Sequence, residues 1–116
     1  MVRIMIITMI TLSPVAGKRD TILELLRFIQ GVVRGRMGFI SCGIYEQRGG
    51  DRNILYLEQW QSTEDVSRHI QSDQYRRVLL AMELGSRPPE VCYFEVADVK
   101  GMSWIKELRS QYEELG

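Results

Sequence analysis

The chain has 116 residues, with 15 basic against 15 acidic, 45% hydrophobic and 26% charged. That is one globular domain with a single core, and its scattered Arg and Lys residues form no basic face of the kind nucleic acid requires. No apolar run approaches the roughly 20 residues needed to span a bilayer, and two cysteines with one histidine make a poor structural zinc set.

Val2 to Thr11 is a β run that is apolar on both alternating faces, with Ile4, Ile6 and Ile10 on one and Met5, Ile7 and Met9 on the other. A strand of that kind is buried on both sides; one side is covered by the chain's own helices and the other calls for a second subunit. Arg3 and the following apolar run resemble a short signal peptide, but the run is brief, contains Thr8 and leads into a turn and a helix. A first strand, and hence a cytoplasmic protein, is the expectation. Ser13 to Gly17 makes the turn, and helical spacing of Ile22, Leu25, Leu26, Ile29 and Val33 predicts a helix over 18–34. Gly35 and Gly38 end it, a strand follows from Phe39 to Gln47, and R-G-G-D-R provides a hairpin turn.

The stretch from Asn53 to Tyr75 is the most informative. Ile54 to Leu57 favour a strand, and alternation puts Tyr56, Glu58 and Trp60 on one face with Leu55, Leu57 and Gln59 on the other. Ser62 and Asp65 read as a capping box for a helix on which Val66, His69 and Ile70 share a core-facing side. Ser72 and Asp73 start a second helix with Tyr75, Val78, Leu79 and Met82 inward. A fourth strand is expected over 90–99, and Ser103 caps a last helix striped by Trp104, Ile105, Leu108, Tyr112 and Leu115. The two cysteines, Cys42 and Cys92, fall in separate strands and read as reduced core thiols.

The order β-α-β-β-α-β plus a C-terminal helix is a ferredoxin-like α+β arrangement with a four-stranded antiparallel sheet. Residues 1–100 form the domain and 101–116 a helical extension. Such a stripe, left unsupported, would be a large apolar patch, so the extension is expected to dock on the sheet edge or on a partner subunit.

With these elements in place, the chain resembles the antibiotic biosynthesis monooxygenase family from Val2 to about Val99. The resemblance rests on S-P-V-A-G-K, R-M-G-F-I-S and, above all, E-Q-W-Q-S-T-E-D-V-S-R-H-I-Q-S-D-Q-Y. In the signature the family pattern falls on Glu58, Trp60, Ser62, Glu64, His69, Ile70, Ser72 and Tyr75. The resemblance implies a homodimer that forms an α+β barrel and oxygenates a quinol, phenol or anthrone with dioxygen, without metal or flavin. The substrate would be bound and deprotonated in a cavity between sheet and helices. Where polyketide oxygenases of the family carry a strand Asn and a Tyr beside the Trp, this chain has Tyr56 and Val66. Leu79 stands where the haem-degrading branch has its iron-ligating His.

The candidate catalytic residues are therefore His69, Trp60 and Tyr56, with Glu58, Tyr75 and Ser41 lining the cavity. His69 is the one side chain that ordinarily titrates near neutrality, and it is read as a base or donor facing the cavity; a structural imidazole is the competing reading. Trp60 reads first as core filling and second as a substrate platform; packing is the competing reading for Tyr56 and Tyr75, and edge exposure for the Ser41 hydroxyl. Glu58 is read first as the partner of an arginine across the sheet and second as a cavity carboxylate. A non-catalytic ligand-binding module and an isomerase or lyase using His69 as a proton shuttle are the alternatives.

Overall fold

A computed structural model of the chain describes residues 4–115; Val2 and Arg3, at the start of the expected first strand, lie outside them. Four strands and four α-helices follow in the order β1 (Met5–Leu12), α1 (Arg19–Val33), β2 (Phe39–Glu46), β3 (Ile54–Trp60), α2 (Thr63–Ile70), α3 (Arg76–Glu83), β4 (Glu90–Val96) and α4 (Met102–Leu115). One 3-10 turn, Asp73–Tyr75, leads into α3. The sheet is antiparallel throughout, in the order β2-β3-β1-β4. This is the ferredoxin-like α+β fold that the element order implies.

Strand β1 occupies the middle and alternates strictly between buried and half-buried residues. Ile6, Thr8, Ile10 and Leu12 face the helices, where they meet Ile22, Leu26, Ile29 and Val33 of α1, Ile54, Tyr56 and Trp60 of β3, and Val78 and Ala81 of α3. The other side, bearing Met5, Ile7 and Met9, is only half-buried among the described residues. Burial on α1 includes Leu23 in place of the expected Leu25, which is half-buried. On α3 the expected Leu79 is 48% exposed and Ala81 takes its place, because the preceding 3-10 turn changes the phase of the helix.

The turns follow their chemistry. Gly49 and Gly50 take positive φ between β2 and β3 and Arg52 does so as well, letting Gln47 N–H reach the Asn53 carbonyl at 2.9 Å. Residues 13–15 are tied to the loop after α3 by Val15 N–H to Leu84 O and Ser86 N–H to Ser13 O, at 3.0 and 2.7 Å. Strand β4 ends at Val96, short of the expected Val99, and α4 begins at Met102, before its expected cap Ser103. None of the residues of α4 is buried, so the stripe expected to dock does not dock on its own chain.

The expectation of two core thiols holds for neither cysteine in full. Cys42 is half-buried and Cys92 is exposed, because Cys92, paired with Met9, points from an edge strand to the side of the sheet away from the helices. Both are free, and they lie on opposite edge strands. Burial pushes the Cys42 thiol up to about 11. Only the thiolate alkylates, so in a Cys92→Ser protein the remaining thiol should react slowly at pH 8 and steadily faster towards pH 11. Alkylation rates measured by mass spectrometry check this; a rate already saturated at pH 9 would contradict it.

Candidate functional site

The site grows from the alternation of β3. Tyr56, Glu58 and Trp60 all point to the helix side and are 1%, 2% and 0% exposed. A carboxylate in such a place must be satisfied by donors, and three converge on it. Trp60 Nε1–H donates to Glu58 Oε1 at 2.9 Å. The Tyr56 hydroxyl donates to Oε2, and His69 Nε2 lies 3.0 Å from the same oxygen. Among the described residues no arginine meets Glu58, the partner expected across the sheet; an imidazole, an indole and a phenol do. Since the carboxylate side of this contact accepts, Nε2 is the protonated nitrogen of the ring.

Helix α2 delivers the imidazole. Ser62 caps it, its Oγ accepting from Asp65 N–H at 3.3 Å. The box closes differently from expectation: the Ser62 hydroxyl donates to Asp65 Oδ2 at 2.7 Å, and Asp65 also pairs with Arg68 at 3.1 Å. Gly38 makes room for this buried carboxylate. It holds φ at +81°, and a Cβ there would lie 2.0 Å from Asp65 Oδ2, so only glycine fits. Its carbonyl accepts from Gln61 N–H at 2.8 Å, which pins the turn between β3 and α2.

His69 is fully buried. Its ring stacks on Trp60 with centroids 5.1 Å apart and meets the edge of Tyr75 at 5.2 Å. The imidazole thus turns inward to the sheet, and the other face of α2 lines the open space. That space is a cleft of about 520 Å³ between α2 and strands β1 and β4, bounded by Ile6, Thr63, Val66, Ser67, Ile70, Tyr93 and Glu95, a size suited to a small ligand. Ile70, expected in the core beside His69, is 38% exposed on its wall. Tyr75 links the two regions, touching His69 with its ring while its hydroxyl lies 3.5 Å from that of Tyr93.

Two buried polar atoms of this region, His69 Nδ1 and Thr8 Oγ1, have no hydrogen-bond partner among the described residues. Thr8 sits directly opposite Glu58 on one side and Tyr93 on the other. With Cys42 opposite Glu58, one register of the sheet carries a polar side chain on every strand. Burial, then the neighbouring Glu58, drives the Tyr56 phenol well above the usual tyrosine range, so it acts as a donor and not as a base. Burial, then Tyr93, raises Tyr75 similarly.

The structure therefore brings together five of the six residues singled out from sequence: Tyr56, Glu58, Trp60, His69 and Tyr75. Ser41 stands apart. It is exposed on the opposite face of the sheet, where its hydroxyl donates to Gln59 Oε1 at 2.7 Å. Thr8, Tyr93 and Asp65 were not legible as site residues, although the period-two pattern of β1 put Thr8 among the core positions. Among the described residues no group of three or more His, Cys, Asp or Glu side chains could hold a metal ion.

Comparison with known proteins agrees with this fold. The model of the family described as antibiotic biosynthesis monooxygenase matches residues 5–79, and the chain belongs to that family. Rv0793 from Mycobacterium tuberculosis is 21% identical, with 84% of this chain and 99% of that chain covered and a TM-score of 0.75. A Deinococcus radiodurans protein provisionally named an antibiotic biosynthesis monooxygenase is 17% identical, covers 84% and 97%, and has a TM-score of 0.74. A conserved protein from Methanosarcina mazei is 18% identical, covering 79% and 92% with a TM-score of 0.73. At such identities these likenesses show the shared fold. No protein with a curated description matches.

The carboxylate hub sets the stability of this region. Glu58→Gln places an amide N–H against at least one of three inward-pointing donors, and should lower stability by about 3 kcal/mol. Trp60→Phe removes one donor and leaves two, and should cost about 1–2 kcal/mol. Chemical denaturation of both variants measures this, and a smaller loss for Glu58→Gln than for Trp60→Phe would contradict the hub.

Proposed function

We propose that the protein is a homodimeric monooxygenase that needs neither metal nor organic cofactor and acts on a small electron-rich aromatic of the quinol, phenol or anthrone class. The observation that carries this reading is the state of His69. Its Nε2 is anchored on Glu58, while Nδ1 is buried and without a partner among the described residues. An imidazole held this way presents one lone pair as a proton acceptor, and the imidazolium formed on accepting a proton is stabilised by the carboxylate behind it.

The aromatic substrate lies in the cleft between α2 and β4, against Val66, Ile70 and Tyr93. Because Nδ1 is buried behind the cleft wall, the substrate's acidic proton reaches the imidazole through a water admitted beside the Tyr75–Tyr93 contact. The resulting carbanion or aryloxide is electron-rich enough to give one electron to dioxygen. Recombination forms a carbon–oxygen bond. Loss of water then leaves a carbonyl, so that one oxygen atom enters the product and the other leaves as water. Dioxygen is the oxidant and the substrate supplies all four electrons. Trp60 and Tyr56 act in this scheme as positioning residues, since both are sealed from the cleft and both hold Glu58.

The complete burial of His69 favours one competing reading, a ligand-binding module in which the imidazole is structural. Oxygen uptake with a panel of quinols and anthrones separates the two. The wild type should consume oxygen with at least one of them, and His69→Gln, which keeps a side chain against Glu58, should lower that rate about a hundredfold or more. Uptake by His69→Gln near the wild-type rate would leave only the structural role.

The side of the sheet away from the helices supports the dimer in this reading. Met5, Ile7, Met9, Leu57 and Phe94 share it in register, and a second copy presenting the same surface would cover it by twofold symmetry. Light scattering on a size-exclusion column should give twice the chain mass at micromolar concentration, and a stable monomer would overturn the assembly.

A further inference from the structure

We propose that α4 is an exchange arm whose apolar stripe seats on a second copy of this chain, across the helix-side surface of β4 and over the mouth of the adjoining cleft. The inference rests on the homodimer put forward above but not on its activity.

The first ground is that α4 is a helix without a support. Trp104, Leu108, Tyr112 and Leu115 recur at helical spacing with Ile105 beside them, and they are 44%, 44%, 65%, 90% and 52% exposed in that order. A helix of 14 residues standing alone in water is marginal, and five large apolar side chains on one side form a patch that marks an interaction surface. The second ground is shape. The radius of gyration is 17.4 Å, against about 13 Å for a compact chain of some 100 residues. The excess comes from a segment that reaches away from its own domain rather than folding back on it. Local contacts hold the connection in place: Val99 N–H to Asp98 Oδ1 at 2.8 Å, the Lys100–Asp98 ion pair at 3.3 Å, and Trp104 N–H to Gly101 O at 3.1 Å.

The third ground is that the fold leaves a receptor of matching character. Six of the seven residues of β4 are exposed, and register places Val91, Tyr93 and Glu95 on the same side as buried Ile10, Thr8 and Ile6. That side has the chain's helices over β1 and β3 but none over β4. Sheet-to-sheet stacking of two copies would cover the opposite side and leave this one bare. Charge agrees as well. Glu95 borders the cleft and makes no ion pair among the described residues, while Arg109 follows Ile105 by one helical turn at the border of the stripe. In the free arm its guanidinium lies over the Tyr112 ring of the same helix, at 5.0 Å. The arm would bring two aromatic side chains, Trp104 and Tyr112, to an otherwise open cleft, and each copy's site would be roofed by the other.

The test uses co-expressed full-length chains in which Cys42→Ser and Cys92→Ser remove the native thiols. One chain carries Tyr93→Cys and the other Leu108→Cys, and both are first shown by light scattering to form dimers. A short bismaleimide should join them into a covalent species containing one of each. Moving the second thiol to the far side of the helix, as Ser110→Cys, should abolish that product. A dimer that yields no cross-link sinks the arm while leaving the assembly standing, and a monomer sinks both. Should a single chain carrying Tyr93→Cys and Leu108→Cys cross-link within itself, the arm lies on its own β4 and exchange is wrong.

Discussion

A carboxylate with almost no access to water has to be met by donors, and the need to satisfy Glu58 organises the interior of this protein. Tyr56 and Trp60 reach it because residues two apart on a strand share a face. His69 reaches it because a capped turn returns the chain over that face within nine residues of Trp60. Each donor is in turn held by packing: Trp60 by the edge of Phe39 and the face of His69, His69 by the edge of Tyr75. Removing the carboxylate would leave three buried donors aimed at one another, so the hub cannot be altered one atom at a time.

That dependence shapes what the imidazole can do. With Nε2 committed to Glu58, the ring is fixed in tautomer and orientation, and only Nδ1 remains for other business. A buried nitrogen without a partner among the described residues is a cost in folding free energy, and it is the one atom of the ring open to a further hydrogen bond. Thr8 Oγ1 carries the same cost in the same register of the sheet. Phenols on either side, Tyr56 and Tyr75, are held protonated by burial, and they donate and pack.

The chain's apolar surfaces divide into one that it covers and others that it does not. Helices α1, α2 and α3 close one side of the sheet over β1 and β3. The far side of β1 is half-buried, and the helix side of β4 and the stripe of α4 stay in water. The symmetric partner proposed above would account for all three surfaces at once, because twofold symmetry matches each surface to another already present on the same chain.

Local chemistry made much of this legible in advance. Alternation in I-L-Y-L-E-Q-W put Tyr56, Glu58 and Trp60 on one face, and S-T-E-D marked the start of α2. Each of those is a property of residues two to four apart, where geometry is nearly independent of the rest of the chain. The partner of Glu58 was not legible, since a carboxylate's donors come from wherever tertiary packing brings them. Sequence chemistry suggested an arginine, and packing supplied an imidazole 11 residues away. Nor was it legible that Ser41 faces away from the cluster, that Thr8 aligns with Glu58 and Tyr93, or that His69 turns inward while Ile70 lines the cleft. Register between strands and the phase of short helices decide those matters. Both are set by contacts between elements distant in the chain, which only the folded structure brings together.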